Sequence, residues 1–261
     1  MPSHVFESGV EKQISDLFEF FIKEKQTVFY DVGMNSGFYT AKAAHLGAHV
    51  LSFEPQAKCV SLVRRMLREP ANSFLSNKVV INNIAVGRFG SIAVPTTTCD
   101  GGFHANILEY VEPNGTNILV LPFSSFFPRE FLQPFSKICI KIDTEGSEIP
   151  ILLDILRLRR RLLFVSWTII VKLIPNLWAQ RGSSYDEGLE TIRRMMLSFD
   201  TILLTDPTPF KFKATLAELP GQVAGLAFIN FSPEDLIKDR MRANAGCNIL
   251  FSSHRGKGGR S

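Results

Sequence analysis

The chain has 261 residues, 45% hydrophobic and 21% charged, with 22 Phe against 4 Tyr and 2 Trp, and a mean hydropathy of +0.09. That composition excludes a disordered chain, which would be poorer in apolar residues, and a mini-protein too small to bury a core. The formal net charge of +4 falls to +1 once Arg255, Lys257 and Arg260 are set aside, so the body lacks the basic stripe of a nucleic-acid binder. Residues 255–261 read as a disordered basic tail.

The first residues, Met1-Pro2-Ser3-His4, lack a basic segment followed by an apolar one, so no signal peptide is expected. Ser8 with Glu11 makes a capping box, and Val10, Ile14, Leu17, Phe18 and Phe21 recur at helical spacing, which predicts a leading helix. Residues 27–32 predict a strand ending in Gly33-Met34-Asn35-Ser36-Gly37. A helix follows over 38–46, stopped by Gly47. A second strand over 49–53 ends in Glu54-Pro55, with a helix over 57–67 halted near Pro70. A third strand is expected over 79–86, a turn-rich stretch after it, and a short strand over 118–121.

Residues 138–142 predict a strand followed by Asp143-Thr144-Glu145-Gly146-Ser147-Glu148 and a helix over 148–158. Arg157, Arg159, Arg160 and Arg161 complement the dipole at the end of that helix. Residues 162–167 predict a fifth strand. The apolar run 162–171 is about ten residues long, where a membrane span needs ~20. A helix over 185–199 and a strand over 201–204 follow. Ser232-Pro233-Glu234-Asp235 opens another helix, and 248–251 closes the chain as a strand. Strands alternating with helices predict an α/β fold with a mainly parallel sheet covered on both faces, its ligands at the carboxyl ends of the strands.

No repeat or linker divides the sequence, so 1–254 is expected to be one domain: a leading helix (1–26), a ligand-binding core (27–170) and the C-terminal half of the sheet (171–254). Cys59, Cys99, Cys139 and Cys247 are scattered, with no CxxC. Reduced thiols, a cytoplasmic location and no metal site are expected, with Cys139 a small core residue.

The strongest chemistry lies in Asp31-Val32-Gly33-Met34-Asn35-Ser36-Gly37, with Glu54 seventeen residues after Gly37. A glycine-rich strand-to-helix turn lets main chain approach a ligand closely. An acid ending the next strand can accept both hydroxyls of a ribose. The turn lacks the GxGxxG of nicotinamide-dinucleotide binders, and Asp31 would repel a pyrophosphate. S-adenosylmethionine fits instead: it has a ribose, a sulfonium and an amino group, and no phosphate.

Tyr30 through Thr40, then Val50-Leu51-Ser52-Phe53-Glu54-Pro55, resembles the opening of FkbM-family methyltransferases. Asn83-Ile84-Ala85-Val86-Gly87 is similar to the family's third-strand segment, and Lys141-Ile142-Asp143-Thr144-Glu145-Gly146-Ser147-Glu148 to its most specific motif. The resemblance covers roughly residues 27–170. It implies a Rossmann-like class I methyltransferase, with a mostly parallel seven-stranded sheet whose last strand is antiparallel.

It also implies roles. Gly33, Asn35 and Gly37 would line the methionine portion of the cofactor, and Asp31 would hold that portion. Glu54 would take the ribose, and Asn83 and Ile84 would flank the adenine. Asp143 and Glu145 would face the methyl group and the acceptor, with Asp143 as general base and Glu145 as runner-up. The alternative for this pair is structural, capping the helix and bonding loop amides. Glu148 reads as a first-turn helix acid. His104 reads as a loop histidine with possible reach to the acceptor, and Trp167 as a packing residue or a stacking surface for a sugar or aromatic acceptor.

Asp206-Pro207-Thr208-Pro209-Phe210 reads as a turn. The absence of an Asp-Pro-Pro-Tyr box after Ile142 argues against a nitrogen acceptor. The resulting expectation is O-methylation of a small molecule or glycan, with no nucleic-acid partner and the oligomeric state open. The rivals are a non-catalytic protein that only binds the cofactor and, disfavoured by the turn, an NAD-dependent oxidoreductase.

Overall fold

A computed structural model describes residues 9–23, 26–94, 99, 116–127, 134–205 and 213–253. Ser8 and the 255–261 tail lie outside these residues. Seven helices are described: α1 (Gly9–Ile22), α2 (Phe38–His45), α3 (Ala57–Arg68), α4 (Ser73–Ser76), α5 (Glu148–Arg161), α6 (Tyr185–Ser198) and α7 (Pro233–Ala243). The strands are β1 (Thr27–Val32), β2 (His49–Phe53), β3 (Val79–Asn82), β4 (Ala85–Val86), β5 (Gly90–Val94), β6 (Thr116–Leu121), β7 (Lys137–Ile142), β8 (Ser166–Leu173), β9 (Asp200–Thr205), β10 (Thr215–Leu216), β11 (Leu226–Ile229) and β12 (Cys247–Ser252).

The main sheet has nine strands in the order β10-β11-β9-β12-β8-β7-β1-β2-β3. β3, β2, β1, β7 and β8 run parallel to one another. β12 inserts antiparallel between β8 and β9, which matches the expected reversed last strand. The expected seven strands are all present, and antiparallel β11 and β10 widen the sheet by two.

Strand alternation divides the core. Ile138, Ile140 and Ile142 of β7 point to the face packed by α5 and α6, together with Val28, Tyr30 and Val32 of β1. Burying each of these isoleucines is worth at most ~1.5–3 kcal/mol. The intervening Phe29 and Cys139 point to the opposite face, against α1, α2 and α3. All six residues of β1 are buried, as befits the centre of a doubly covered parallel sheet. The same alternation sends Asp31 and Lys141 to the α2 face, where they sit side by side in register, with Ser52 of β2 on the other side of Asp31.

Three expectations need correction. The third strand is broken: β3 pairs with β2, whereas β4 joins a separate three-stranded sheet with β6 and β5. At the break, Asn83 Nδ2 donates to the carbonyls of Glu54 and Pro55, both at 2.9 Å, which turns the chain out of the sheet. The fifth strand starts four residues later than expected. α5 continues to Arg161, Leu163 and Phe164 are exposed in the following turn, and pairing begins where Ser166 N bonds Ser136 O. Finally, Cys59 and Cys99 form a disulfide, so two of the four thiols are not free. A sequence separation of 40 hides this partnership from spacing rules. Cys139 and Cys247 are buried and lie outside the disulfide.

Other boundaries agree closely. Ser232 caps α7 by accepting from Asp235 N, with Pro233 in the first helical position. Among the described residues no helix is long and apolar enough to cross a membrane. No group of three or more metal-ligating side chains is found among them either.

Candidate active site

The loops after β1, β2 and β7 and the end of β8 converge on a cleft of about 290 Å³, near the lower end of the ~300–1,000 Å³ usual for small-molecule sites. Gly33 sets its floor. Its φ is +84°, and a Cβ there would lie 1.9 Å from the carbonyl oxygen of Asp143. Only glycine lets the β1 and β7 loops come this close. Gly33 N and Met34 N both donate to Phe53 O at 3.0 Å, and Asp143 N donates to Val32 O at 2.9 Å. Three neighbouring strand ends are thus tied together by main chain alone.

Glu54 is buried yet borders the cleft. Its carboxylate accepts from Asn35 N at 2.8 Å and from Gln56 N at 2.9 Å. Burial pushes its pKa up, against the pull of those amides. Gly33, Asn35 and Ile84 line the cleft beside it. Gly37 is set back from the cleft wall: it caps the start of α2 with φ +80°, and a Cβ there would meet Val63 of α3 at 2.7 Å, so it lets α2 and α3 pack closely. Asn83 is likewise outside the cleft wall and braces the Glu54-Pro55 turn.

Asp31 is fully buried beneath the glycine turn and is not part of the wall. Oδ2 accepts from Thr40 Oγ1 at 2.7 Å, and Oδ1 has no hydrogen bond but lies 3.8 Å from Lys141 Nζ. Burial raises its pKa, with Lys141 and Thr40 opposing.

Lys141 is the residue that sequence reasoning quoted without assigning a role. Its Nζ donates to Gly33 O at 3.3 Å, lies 3.8 Å from both Asp31 and Asp143, and sits 5.1 Å above the Tyr39 ring. Burial alone would lower its pKa; the carboxylates of Asp143, Asp31, Glu11 and Glu54 outweigh that and raise it. Tyr39 in turn donates to Glu11 at 2.6 Å. The signal was available: in β7 the lysine at 141 falls on the same face as Asp31.

Asp143 and Glu145 both line the cleft. Asp143 lies 3.5 Å from Lys172 Nζ on its other side, so two ammonium groups flank it. Neither caps α5, whose N-cap Ser147 makes no side-chain bond. Instead Glu148, fully buried, holds the loop. It accepts from Gly146 N at 2.6 Å, Thr144 Oγ1 at 3.3 Å and Trp178 Nε1 at 2.9 Å. Burial raises its pKa to about 7. Glu148 is the first-turn acid of α5, as expected, and its carboxylate holds the preceding loop as well.

Trp167 is the second residue of β8 rather than the last of a strand. It is buried against Phe127, at 6.1 Å between ring centres, and packs in the core rather than facing a ligand. The residue at the open end of β8 is Lys172, missed because the strand was placed too early. Arg181, also in the cleft wall, was not singled out. His104, the loop 101–115 and the 206–210 segment lie outside the described residues.

A glycine turn, an acid ending the second strand and a reversed strand in a mainly parallel sheet make this a Rossmann-like fold of the methyltransferase type. The chain belongs to the FkbM methyltransferase family: the model of the methyltransferase FkbM domain matches residues 31–198. No curated protein matches the sequence significantly. Among solved structures, the chain resembles methyltransferase FkbM from Methylobacillus flagellatus KT at 15% identity and a TM-score of 0.46, over 95% of this chain and 49% of that one. The chain thus spans about half the length of that relative. A SAM-dependent O-methyltransferase from Thermotoga maritima aligns at 10% identity and a TM-score of 0.43, over 95% and 67% of the two chains. Precorrin-6y C5,15-methyltransferase from Geobacter metallireducens GS-15 aligns at 8% and 0.40, over 92% and 87%.

Proposed function

We propose that the protein is an S-adenosylmethionine-dependent methyltransferase acting on an oxygen of a small molecule or glycan, with residues 1–254 working as one domain. The observation that carries this reading is the row of groups along three adjacent strand ends: Glu54 after β2, the bare Gly33 main chain after β1, and Asp143 after β7. The residues fit the cofactor. Gly33 leaves room where any side chain would fill the cradle, and Glu54 offers carboxylate oxygen to ribose hydroxyls. Ile84 gives an apolar wall near Glu54, suited to an adenine. Asp31 acts from below, fixing the turn through Thr40 and Lys141 rather than touching the ligand.

Held against Glu54, the Gly33 turn and Ile84, the cofactor would supply an electrophilic methyl group to the acceptor oxygen, with S-adenosylhomocysteine as the leaving group. The chain's contribution is mainly alignment, worth roughly 7–11 kcal/mol at best. Asp143 takes the hydroxyl proton, held in place between Lys141 and Lys172. Glu145 borders the same space as a second acceptor-side group. A Cys59–Cys99 disulfide persists in oxidising surroundings, which weighs against the cytoplasmic expectation.

Calorimetry with S-adenosylhomocysteine tests the cofactor claim. Binding by the intact chain, weakened at least tenfold in Glu54→Ala, supports it; no binding by the intact chain overturns it. Asp143→Asn should retain that affinity and lose most transfer of labelled methyl from the cofactor to an extract. Binding without any transfer by the intact chain would instead favour a non-catalytic cofactor binder.

A further inference from the structure

The two ends of the cleft differ in charge. Glu54 follows β2 and Lys172 lies at the end of β8, with β1 and β7 between them. At ~4.8 Å per strand, they stand roughly 14 Å apart along the sheet edge. If the nucleoside occupies the β2 end, as the proposed methyltransferase reading requires, the acceptor enters beside β7 and β8.

The acids around the cleft already have partners. Glu54 holds two amides, Asp143 faces two lysines, Glu11 accepts from Tyr39, and Glu145 is engaged as well. The cations at the acceptor end are not matched in the same way. Arg181 is half-buried in the cleft wall, and its guanidinium makes a single long hydrogen bond among the described residues, Nε to Glu145 O at 3.4 Å. The nearby Arg88 shows the contrast: it grips both oxygens of Glu187 at 3.0 and 3.1 Å. Burial lowers the pKa of Arg181, with Glu145 and Glu148 opposing, so the charge is held at some cost in desolvation. Lys172 lines the same cleft, and its one ion pair among the described residues is with Asp143 at 3.5 Å.

A planar guanidinium with its outer N–H groups uncommitted matches a two-oxygen anion. We infer that the acceptor is itself an anion, bearing a carboxylate or phosphate that Arg181 binds with support from Lys172, while the hydroxyl to be methylated faces Asp143. This deepens the proposed function and rests on it.

The test uses the full chain saturated with S-adenosylhomocysteine and titrated separately with inorganic phosphate and with acetate. The expected result is binding of at least one anion, weakened at least tenfold in Arg181→Gln and only partly restored in Arg181→Lys, which keeps the charge but loses the planar fork, with S-adenosylhomocysteine affinity unchanged within twofold. Preference for phosphate or for acetate identifies the source of the charge. Lys172→Gln, expected to weaken anion binding about threefold, serves if Arg181→Gln fails to fold. Equal anion binding by the intact chain and both variants, or none, overturns the inference. So does a tenfold loss of S-adenosylhomocysteine affinity in Arg181→Gln, which would mean that the guanidinium reads the cofactor's own carboxylate. Failure of the intact chain to bind S-adenosylhomocysteine at all sinks the methyltransferase reading, and the anion titration without it still decides whether Arg181 is an anion site.

Discussion

The β1–β2 side of the cleft and the β7–β8 side are built from different materials. On the first, polar groups are spent on main chain: Glu54 on the amides of Asn35 and Gln56, Asn83 on two carbonyls, Phe53 O on two amides. On the second, side-chain ions hold one another, with Lys141 between Asp31 and Asp143 and Lys172 beyond. Main-chain bonds fix geometry independently of neighbouring side chains and suit a ligand that never varies. Side-chain ions at strand ends can be exchanged without refolding the sheet, which suits an acceptor that differs between enzymes.

The largest expected effect comes from breaking the ionic side at its centre. Lys141→Met leaves Asp31 buried without its counter-charge and should cost about 3–5 kcal/mol in urea unfolding. Adding Asp31→Asn should recover a good part of that loss. If Lys141→Met is neutral, the lysine is not what balances the buried carboxylate. On the main-chain side, Gly33→Ala must place a Cβ 1.9 Å from Asp143 O at φ +84°. Strain and overpacking together should cost roughly 2–5 kcal/mol and abolish S-adenosylhomocysteine binding. Gly47 is the control: its φ is +100° but nothing lies within 4 Å of its missing Cβ, so Gly47→Ala should cost only ~1–2 kcal/mol and leave binding intact. Equal losses in the two alanine variants would show that the pinch between β1 and β7 is not what shapes the cleft.

The main-chain side was the more legible in sequence. Turn glycines, the acid ending β2 and the alternation of strands and helices are local patterns, and they placed Gly33, Asn35 and Glu54 where the structure has them. Asp31 was found too, but its depth was not: a carboxylate at a strand end reads as ligand-facing until register sets Lys141 beside it and Thr40 above it. The ionic side depends on such cross-strand neighbours and was read poorly. Placing β8 too early put Trp167 at the open end and hid Lys172, because an apolar run cannot show where a helix's last turn stops and a strand starts. Arg181 lies on a loop, and the Cys59–Cys99 pairing spans forty residues; neither has a local signal.

Glu148 sharpens the contrast by a smaller effect, because its buried carboxylate fixes the acceptor-side loop through two side chains and only one main-chain amide. Its pKa rises from 4.5 to about 7 on folding, burial being the main cause. Between those values the folded chain holds a proton that the unfolded chain has released. Stability therefore falls as pH climbs through this window and levels off above about pH 7, by at most ~3 kcal/mol from this group. Glu148→Gln cannot titrate, so its profile should be flatter by that amount. A glutamine has one acceptor oxygen for the three donors on Gly146, Thr144 and Trp178, so the variant should be less stable than the parent at pH 5. Near pH 8, where the parent must bury a charge, the two should converge or cross. Urea unfolding between pH 4 and 8 reads both curves, and parallel curves would mean that the loop carrying Asp143 and Glu145 is held by something other than this carboxylate.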